Sequence, residues 1–145
     1  MNILVINGPN MNMLGIRQPE IYGHATYQDL VNMVEAEAQK LDVEVDFFQS
    51  NHDGALVDAI QQAYFDSVDG IIINPAAYTH TSIALLDAVK AVGIPTVEVH
   101  VSDPDTREEF RHVSYIRASC VATIRGHGLP GYVEALQFLH NLLAT

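Results

Sequence analysis

At 145 residues the chain has the length of one ordinary domain. That is enough to bury a core without disulfides or a structural metal, and well short of the roughly 250 residues of a (β/α)8 barrel. Eighteen acidic residues against seven basic give a formal charge of −11, which disfavours non-specific nucleic-acid binding and docking on an anionic membrane. The single cysteine, Cys120, excludes an internal disulfide and fits a reducing, cytoplasmic compartment.

In chain order, Ile3–Ile6 is a β-branched run ended by the turn cluster Asn7-Gly8-Pro9-Asn10, and it predicts a first strand. No basic stretch precedes it, and no apolar run approaches the ~20 residues of a membrane span, so neither a signal peptide nor a span is expected. Residues 11–23 show no period and carry Gly15, Pro19 and Gly23; they read as a long loop of the kind that forms lids or binding loops. A helix follows from about Tyr27 to Leu41, capped by Thr26, with Leu30, Val34, Ala38 and Leu41 on one face. Val43–Phe48 alternates as a strand, and Asp53–Phe65 reads as a helix that turns Leu56, Ile60, Ala63 and Tyr64 inward. Gly70–Ile73 is a continuously apolar strand closed by Asn74-Pro75. Thr81–Val92 is helical until Gly93 stops it, and Ile94–Val99 is a strand with Pro95 at its start. Residues 100–118 read as loop with one helical turn near Arg107–Phe110, and Ser119–Ile124 as the fifth strand. A last amphipathic helix opens at Pro130 or Gly131 and carries Val133, Leu136, Phe138, Leu139, Leu142 and Leu143.

Five strands alternating with helices define a parallel α/β sheet covered on both faces. The uniformly apolar third strand suits a central place in it. Short right-handed crossovers then give a flavodoxin-like three-layer sandwich with strand order 2-1-3-4-5. No repeat, low-complexity tract or linker interrupts the chain, so residues 1–145 are expected to form one domain.

In such sheets ligands bind beyond the carboxyl ends of the strands. Asn10, Asn74 and His100 follow the first, third and fourth strands and so face one cleft, with Arg17 and Tyr22 of the long loop within reach. Plainer readings stand beside these: Asn10 as a turn residue, Arg17 as a solvated cation, Tyr22 as a packing anchor, His80 as a residue of a helix's first turn. His100 is the strongest single candidate, a titratable group where ligands bind. Backbone N–H groups beside Ser102 suit a carboxylate, and Arg17, Arg107 and Arg111 in so acidic a chain suggest an anion site. Gly126–Gly131 has the form of a dinucleotide-binding glycine pattern, but it lies on the last strand and lacks the later acidic residue, so its glycines read as turn and packing residues. The seven histidines have no zinc-ligand spacing, and the third strand ends in Asn74-Pro75 where a phospho-acceptor domain would carry aspartate.

Taken in order, Asn7-Gly8-Pro9-Asn10-Met11-Asn12-Met13-Leu14-Gly15, Arg17, Pro19, Tyr22-Gly23, Gln49-Ser50-Asn51-His52, Asn74-Pro75-Ala76-Ala77-Tyr78-Thr79-His80-Thr81-Ser82, Glu98-Val99-His100-Val101-Ser102, Arg107-Glu108-Glu109-Phe110-Arg111 and Gly126-His127-Gly128 with Gly131-Tyr132 resemble the type II 3-dehydroquinate dehydratases over nearly the whole chain. The resemblance implies a flavodoxin-like lyase of the shikimate pathway of aromatic amino acid biosynthesis, which converts 3-dehydroquinate to 3-dehydroshikimate without metal or organic cofactor. It implies Tyr22 as the base that removes the C2 proton and Arg17 as the cation that favours its phenolate. Asn10 would hold a water that stabilises the enolate, and His100 would protonate the departing C1 hydroxyl. Asn74, His80 and Arg111 would bind substrate hydroxyls, the backbone around Val101 and Ser102 the carboxylate, and Arg107 would be a second cation near the tyrosine. Asp87 would reach the site of a neighbouring subunit, in trimers assembled as a homododecamer.

Three positions depart from the family's usual pattern: His112-Val113 for two histidines, Arg117 for a serine and Ala122 for a glycine. They are expected to bear on packing and subunit contacts of residues 112–125, and on neither acid nor base. The alternative Schiff-base route needs a lysine, and Lys40 and Lys90 both fall in expected helices away from the strand ends. The competing reading is a non-catalytic small-molecule or protein-binding module on the same fold; the joint presence of Arg17, Tyr22 and His100 favours the enzyme.

Overall fold

The apolar runs pair in one parallel sheet, and the Gly70–Asn74 run at its centre is buried on both sides, as a strand with no polar face requires. The computed structural model describes residues 1–145. Its strands are β1 (Asn2–Asn7), β2 (Glu44–Gln49), β3 (Gly70–Asn74), β4 (Thr96–His100) and β5 (Ala122–Arg125), in the order β2-β1-β3-β4-β5. The helices are α1 (Pro19–Tyr22), α2 (Tyr27–Leu41), α3 (Asp53–Phe65), α4 (Ile83–Val92) and α5 (Pro130–Leu143). α2 and α5 cover one face of the sheet, α3 and α4 the other. The expected flavodoxin-like sandwich and strand order are those observed. No helix is long and apolar enough to cross a membrane.

The central strand shows why its run is unbroken. Ile72 packs with Val5, Val97 and Tyr132 under α2 and α5, while Ile71 and Ile73 pack with Ile6, Leu56 and Ile60 under α3 and α4. Alternate side chains point to opposite layers, and both layers are dry. Each of these inaccessible isoleucines contributes about 1.5–3 kcal/mol of apolar burial. α2 opens with a capping box: Asp29 N–H donates to Thr26 Oγ1 at 3.1 Å and Thr26 N–H donates to Asp29 Oδ2 at 2.9 Å. Loss of such a cap costs about 1 kcal/mol. α4 ends at Gly93 with φ 66°, a left-handed conformation that glycine adopts without a Cβ penalty.

Several local expectations are corrected. Residues 11–23 are not plain loop: Met11–Met13 is a 3₁₀ turn and α1 is one helical turn, both too short to register as a period. The turn expected near Arg107–Phe110 is split into 3₁₀ turns at Pro104–Thr106 and Glu109–Arg111. Ile116–Ser119 is a further 3₁₀ turn, so β5 begins at Ala122 rather than Ser119. α4 begins at Ile83, where the Ser82 hydroxyl accepts from Leu85 N–H at 3.0 Å. Tyr64, expected inward, is exposed, because it lies about 100° round the helix from Ala63. Phe138 and Leu142 of α5 are exposed likewise.

The register pairs Asn7 with Asn74, Ile73 with Glu98 and His100 with Arg125. The carboxyl ends of β1, β3, β4 and β5 therefore finish side by side.

Candidate active site

A pocket opens at that end of the sheet. Arg17, Tyr22, Asn74, His80, His100, Val101, Ser102, Arg107 and Arg111 line it, with Met11, Ala76, Ala77 and Pro104 as apolar wall. Its free volume is about 40 Å³, room for a few waters. A larger groove of about 680 Å³ runs along β2 and α3, but its lining has no histidine, cysteine, tyrosine, lysine or arginine.

Tyr22 closes α1. Its phenolic oxygen accepts a hydrogen bond from Arg107 Nη1 at 2.6 Å, and the Arg17 guanidinium lies 4.5 Å from its ring centroid. The two cations meet the tyrosine differently. Arg107 touches the oxygen, and Arg17 stacks on the ring face. A guanidinium hydrogen bond to the phenolic oxygen stabilises the anion more than the phenol.

His100 is the last residue of β4 and is buried. Its Nε2 meets Glu98 Oε2 at 2.5 Å. Residues two apart on a strand share a face, so Glu98 lies directly behind the imidazole. Glu98 is inaccessible to solvent. Burial alone would raise its carboxyl, but the His100 hydrogen bond and charge, with donors from Ser114 and Arg117, bring it down to about 2. An anionic carboxylate only accepts, so Nε2 carries a proton toward Glu98 and Nδ1 is the nitrogen left for a ligand.

His80 lies in the 3₁₀ turn Ala76–His80, and its Nδ1 donates to the Val113 carbonyl at 2.7 Å. Burial lowers its imidazole more than that carbonyl raises it, so the neutral ring offers Nε2 as an acceptor. Neither the Val101 nor the Ser102 backbone N–H donates to another group of the chain, which leaves two donors for an anion. Arg111 is held by Glu108, whose Oε2 accepts from its Nε at 2.6 Å.

Asn74 lines the pocket, yet its amide is engaged by the chain itself. Oδ1 accepts from Ala76 N–H at 3.0 Å, which holds Ala76 at φ 54°, and Nδ2 donates to the Tyr132 hydroxyl at 3.0 Å. That hydroxyl donates in turn to Asn7 Oδ1 at 2.5 Å. Asn10 is exposed, in a left-handed conformation, and its N–H donates to Asn51 Oδ1 at 3.0 Å. Asn10 and Asp87, the latter exposed on α4, lie outside the pocket lining.

Three residues were missed or misplaced by sequence reasoning. Glu98 was visible only as part of a motif, although a carboxylate two residues before a strand-end histidine is itself a signal. Tyr132 was read as part of a glycine block, not as a buried polar hub. Arg117, expected to bear on packing, donates its Nε to Glu98 Oε1 at 3.0 Å, the carboxylate that also bonds His100.

Fold and pocket together define an α/β protein with a tyrosine under two guanidinium groups and a carboxylate-bonded histidine in one cavity. The family described as Dehydroquinase class II matches residues 1–140. A 3-dehydroquinate dehydratase of Caldicellulosiruptor bescii is 54% identical over 141 residues, 97% of each chain. The crystal structure of a type II dehydroquinase from Butyrivibrio crossotus superposes with a TM-score of 0.95 at 51% identity, covering 96% of this chain and 97% of that one. One from Propionibacterium acnes gives 0.92 at 41% identity, covering 97% and 96%. The chain belongs to the class II dehydroquinase family.

Proposed function

We propose that the chain is a hydro-lyase that dehydrates 3-dehydroquinate to 3-dehydroshikimate through an enolate. The observation that carries this is the shared pocket of Tyr22, gripped by Arg107 and Arg17, and His100, backed by Glu98. The Tyr22 phenolate takes the C2 proton, which is acidic because C2 neighbours the C3 ketone. Electron density moves to the ketone oxygen, and a water held by Asn10 stabilises that enolate. Each fixed donor aimed at such an oxygen is worth roughly 3–4 kcal/mol. The enolate then collapses, the C1–O bond breaks, and His100 gives its proton to the leaving hydroxyl to form water. The Val101 and Ser102 N–H groups hold the substrate carboxylate, while His80, Arg111 and the second lone pair of Asn74 Oδ1 bind its hydroxyls. The chemistry needs no metal or organic cofactor at any step.

The test is the rise in conjugated-enone absorbance when purified protein meets 3-dehydroquinate with a chelator present. Wild type is expected to turn over undiminished by chelator, and Tyr22→Phe to lose at least about 10²-fold in kcat. Near-full activity in Y22F would remove the base assignment. A folded, inactive wild type would favour the binding module.

The finer assignments belong to the same proposal: residues 1–145 as one domain, trimers assembled as a homododecamer, and a cytoplasmic location. Asp87 exposed on α4 and the exposed apolar Ile83 and Phe65 fit subunit contacts, with Asp87 reaching a neighbour's pocket. The lone thiol fits a reducing compartment.

A further inference from the structure

Arg117 stands on the 3₁₀ turn Ile116–Ser119, 19 residues from Glu98 in sequence, yet its Nε donates to Glu98 Oε1 at 3.0 Å. The carboxylate it meets is inaccessible, and the Arg117 side chain is itself only 33% exposed. Four donors saturate Glu98. Arg117 and Thr123 sit on Oε1, at 3.0 and 3.1 Å; His100 and Ser114 sit on Oε2, at 2.5 and 2.7 Å. Among the four, Arg117 is the one permanent cation and His100 the one titratable group.

We propose that Arg117 is a positioning residue for the acid: it anchors the far oxygen of Glu98 and thereby sets both the orientation of His100 and the ease with which His100 releases its proton. The proposal deepens the dehydratase reading and rests on its assignment of His100. Two physical arguments carry it. When His100 hands its proton to the leaving hydroxyl, Glu98 loses its ionic partner and would become a lone buried charge; Arg117 keeps that charge compensated through the step. Before the step, the guanidinium's positive charge shares the carboxylate with the imidazolium and opposes it, which makes the ring a readier donor.

Other charges face the pair without touching the carboxylate. Arg17, Tyr22, His80, Arg107 and Arg111 line the pocket, and Arg111 is paired with Glu108. Arg125, in register with His100 on β5, is taken by Asp105 at 2.7 Å. Cys120, beside the Arg117 turn, is a thiol that burial and the Glu98 charge raise to about 12, so it stays neutral. Ser114 and Thr123 carry no charge.

The test compares Arg117→Met, which keeps length and removes charge, with Arg117→Lys and Thr123→Val. Two readouts are followed: the His100 imidazole titration by NMR, and the alkaline limb of kcat/KM. In R117M both are expected to move to higher pH by about half to one unit. In that variant kcat falls about ten-fold and KM changes less than about two-fold, the pattern of a group acting on the chemical step. Lysine returns the limb most of the way. T123V removes an uncharged donor from the same oxygen and leaves the limb in place. Arg117→Ser removes the same charge and replaces R117M should that chain not fold. An unmoved His100 titration and limb in the charge-removing variant overturns the proposal, as does an equal shift in T123V. If the wild type does not turn over 3-dehydroquinate, the functional reading fails, while the His100 titration still decides whether Arg117 governs the pair.

Discussion

Glu98 is the inaccessible carboxylate bonded to His100, and its environment makes a stability prediction of definite sign. Its carboxyl is held below its ordinary value of 4.5, down to about 2. A carboxyl depressed in the native state adds stability that is fully present above its unfolded value and is lost as pH falls through the native one. The urea midpoint of wild type is therefore expected to exceed that of Glu98→Gln at pH values above about 5. The margin should shrink between about pH 4.5 and 2. A margin that does not change with pH would show that Glu98 is not carried as an anion. Tyr132 is the other residue with a cost larger than its size suggests. Burial raises its phenol well above the ordinary tyrosine range, so it serves as a neutral hydrogen-bond relay between Asn7 and Asn74.

At the scale of elements, the end of β1 is set by how closely it approaches the segment after β3. A Cβ built on Gly8 would stand 2.3 Å from the Pro75 carbonyl oxygen, and both partners are backbone. Gly8→Ala must push the Pro75–His80 segment away, and with it the wall that carries His80. The expected outcome is a loss of at least about 2 kcal/mol in urea unfolding, together with weakened substrate binding. A variant with unchanged stability and KM would refute that reading of the approach. The strands and long helices were legible because each carries its own periodicity: the unbroken Gly70–Ile73 run, the Leu30–Val34–Ala38 stripe, the Thr26 cap. The short turns were not, since α1 has only four residues and no face to repeat. The candidate site was legible as a set of residues at strand ends, helped by the family resemblance. Its internal wiring was not. Arg107 reaches Tyr22 from 85 positions away, and Ser114, Arg117 and Thr123 reach Glu98 from 16 to 25 positions away. Sequence spacing carries no information about such contacts until the sheet order and the loop paths are known.

At the scale of the molecule, the pocket is narrow. A free volume of about 40 Å³ is small for a six-membered ring carrying a carboxylate and hydroxyls, and the Arg17–Tyr22 segment is the wall expected to yield when substrate enters. Gly15 and Gly23 flank it in left-handed conformations, at φ 86° and 79°. The Arg107 hydrogen bond to the Tyr22 hydroxyl and the packing of the Tyr22 ring against the core tie it to the rest of the chain. Limited proteolysis of the free protein is expected to cut first within residues 15–23, and saturating 3-dehydroshikimate to protect that site by at least several-fold. Cleavage elsewhere first, or no protection, would contradict a moving cover.

The walls of the pocket come from residues as far apart in sequence as Met11 and Arg111, at and beyond the ends of separate strands. No contiguous stretch contains the base, its cation and the acid. During refolding from urea, far-ultraviolet ellipticity can return as each helix docks, whereas turnover has to wait until β4 has taken its place beside β3 and the 104–111 segment has closed on Tyr22. Catalysis is thus the last signal to recover, a clock for the final step of assembly rather than for collapse.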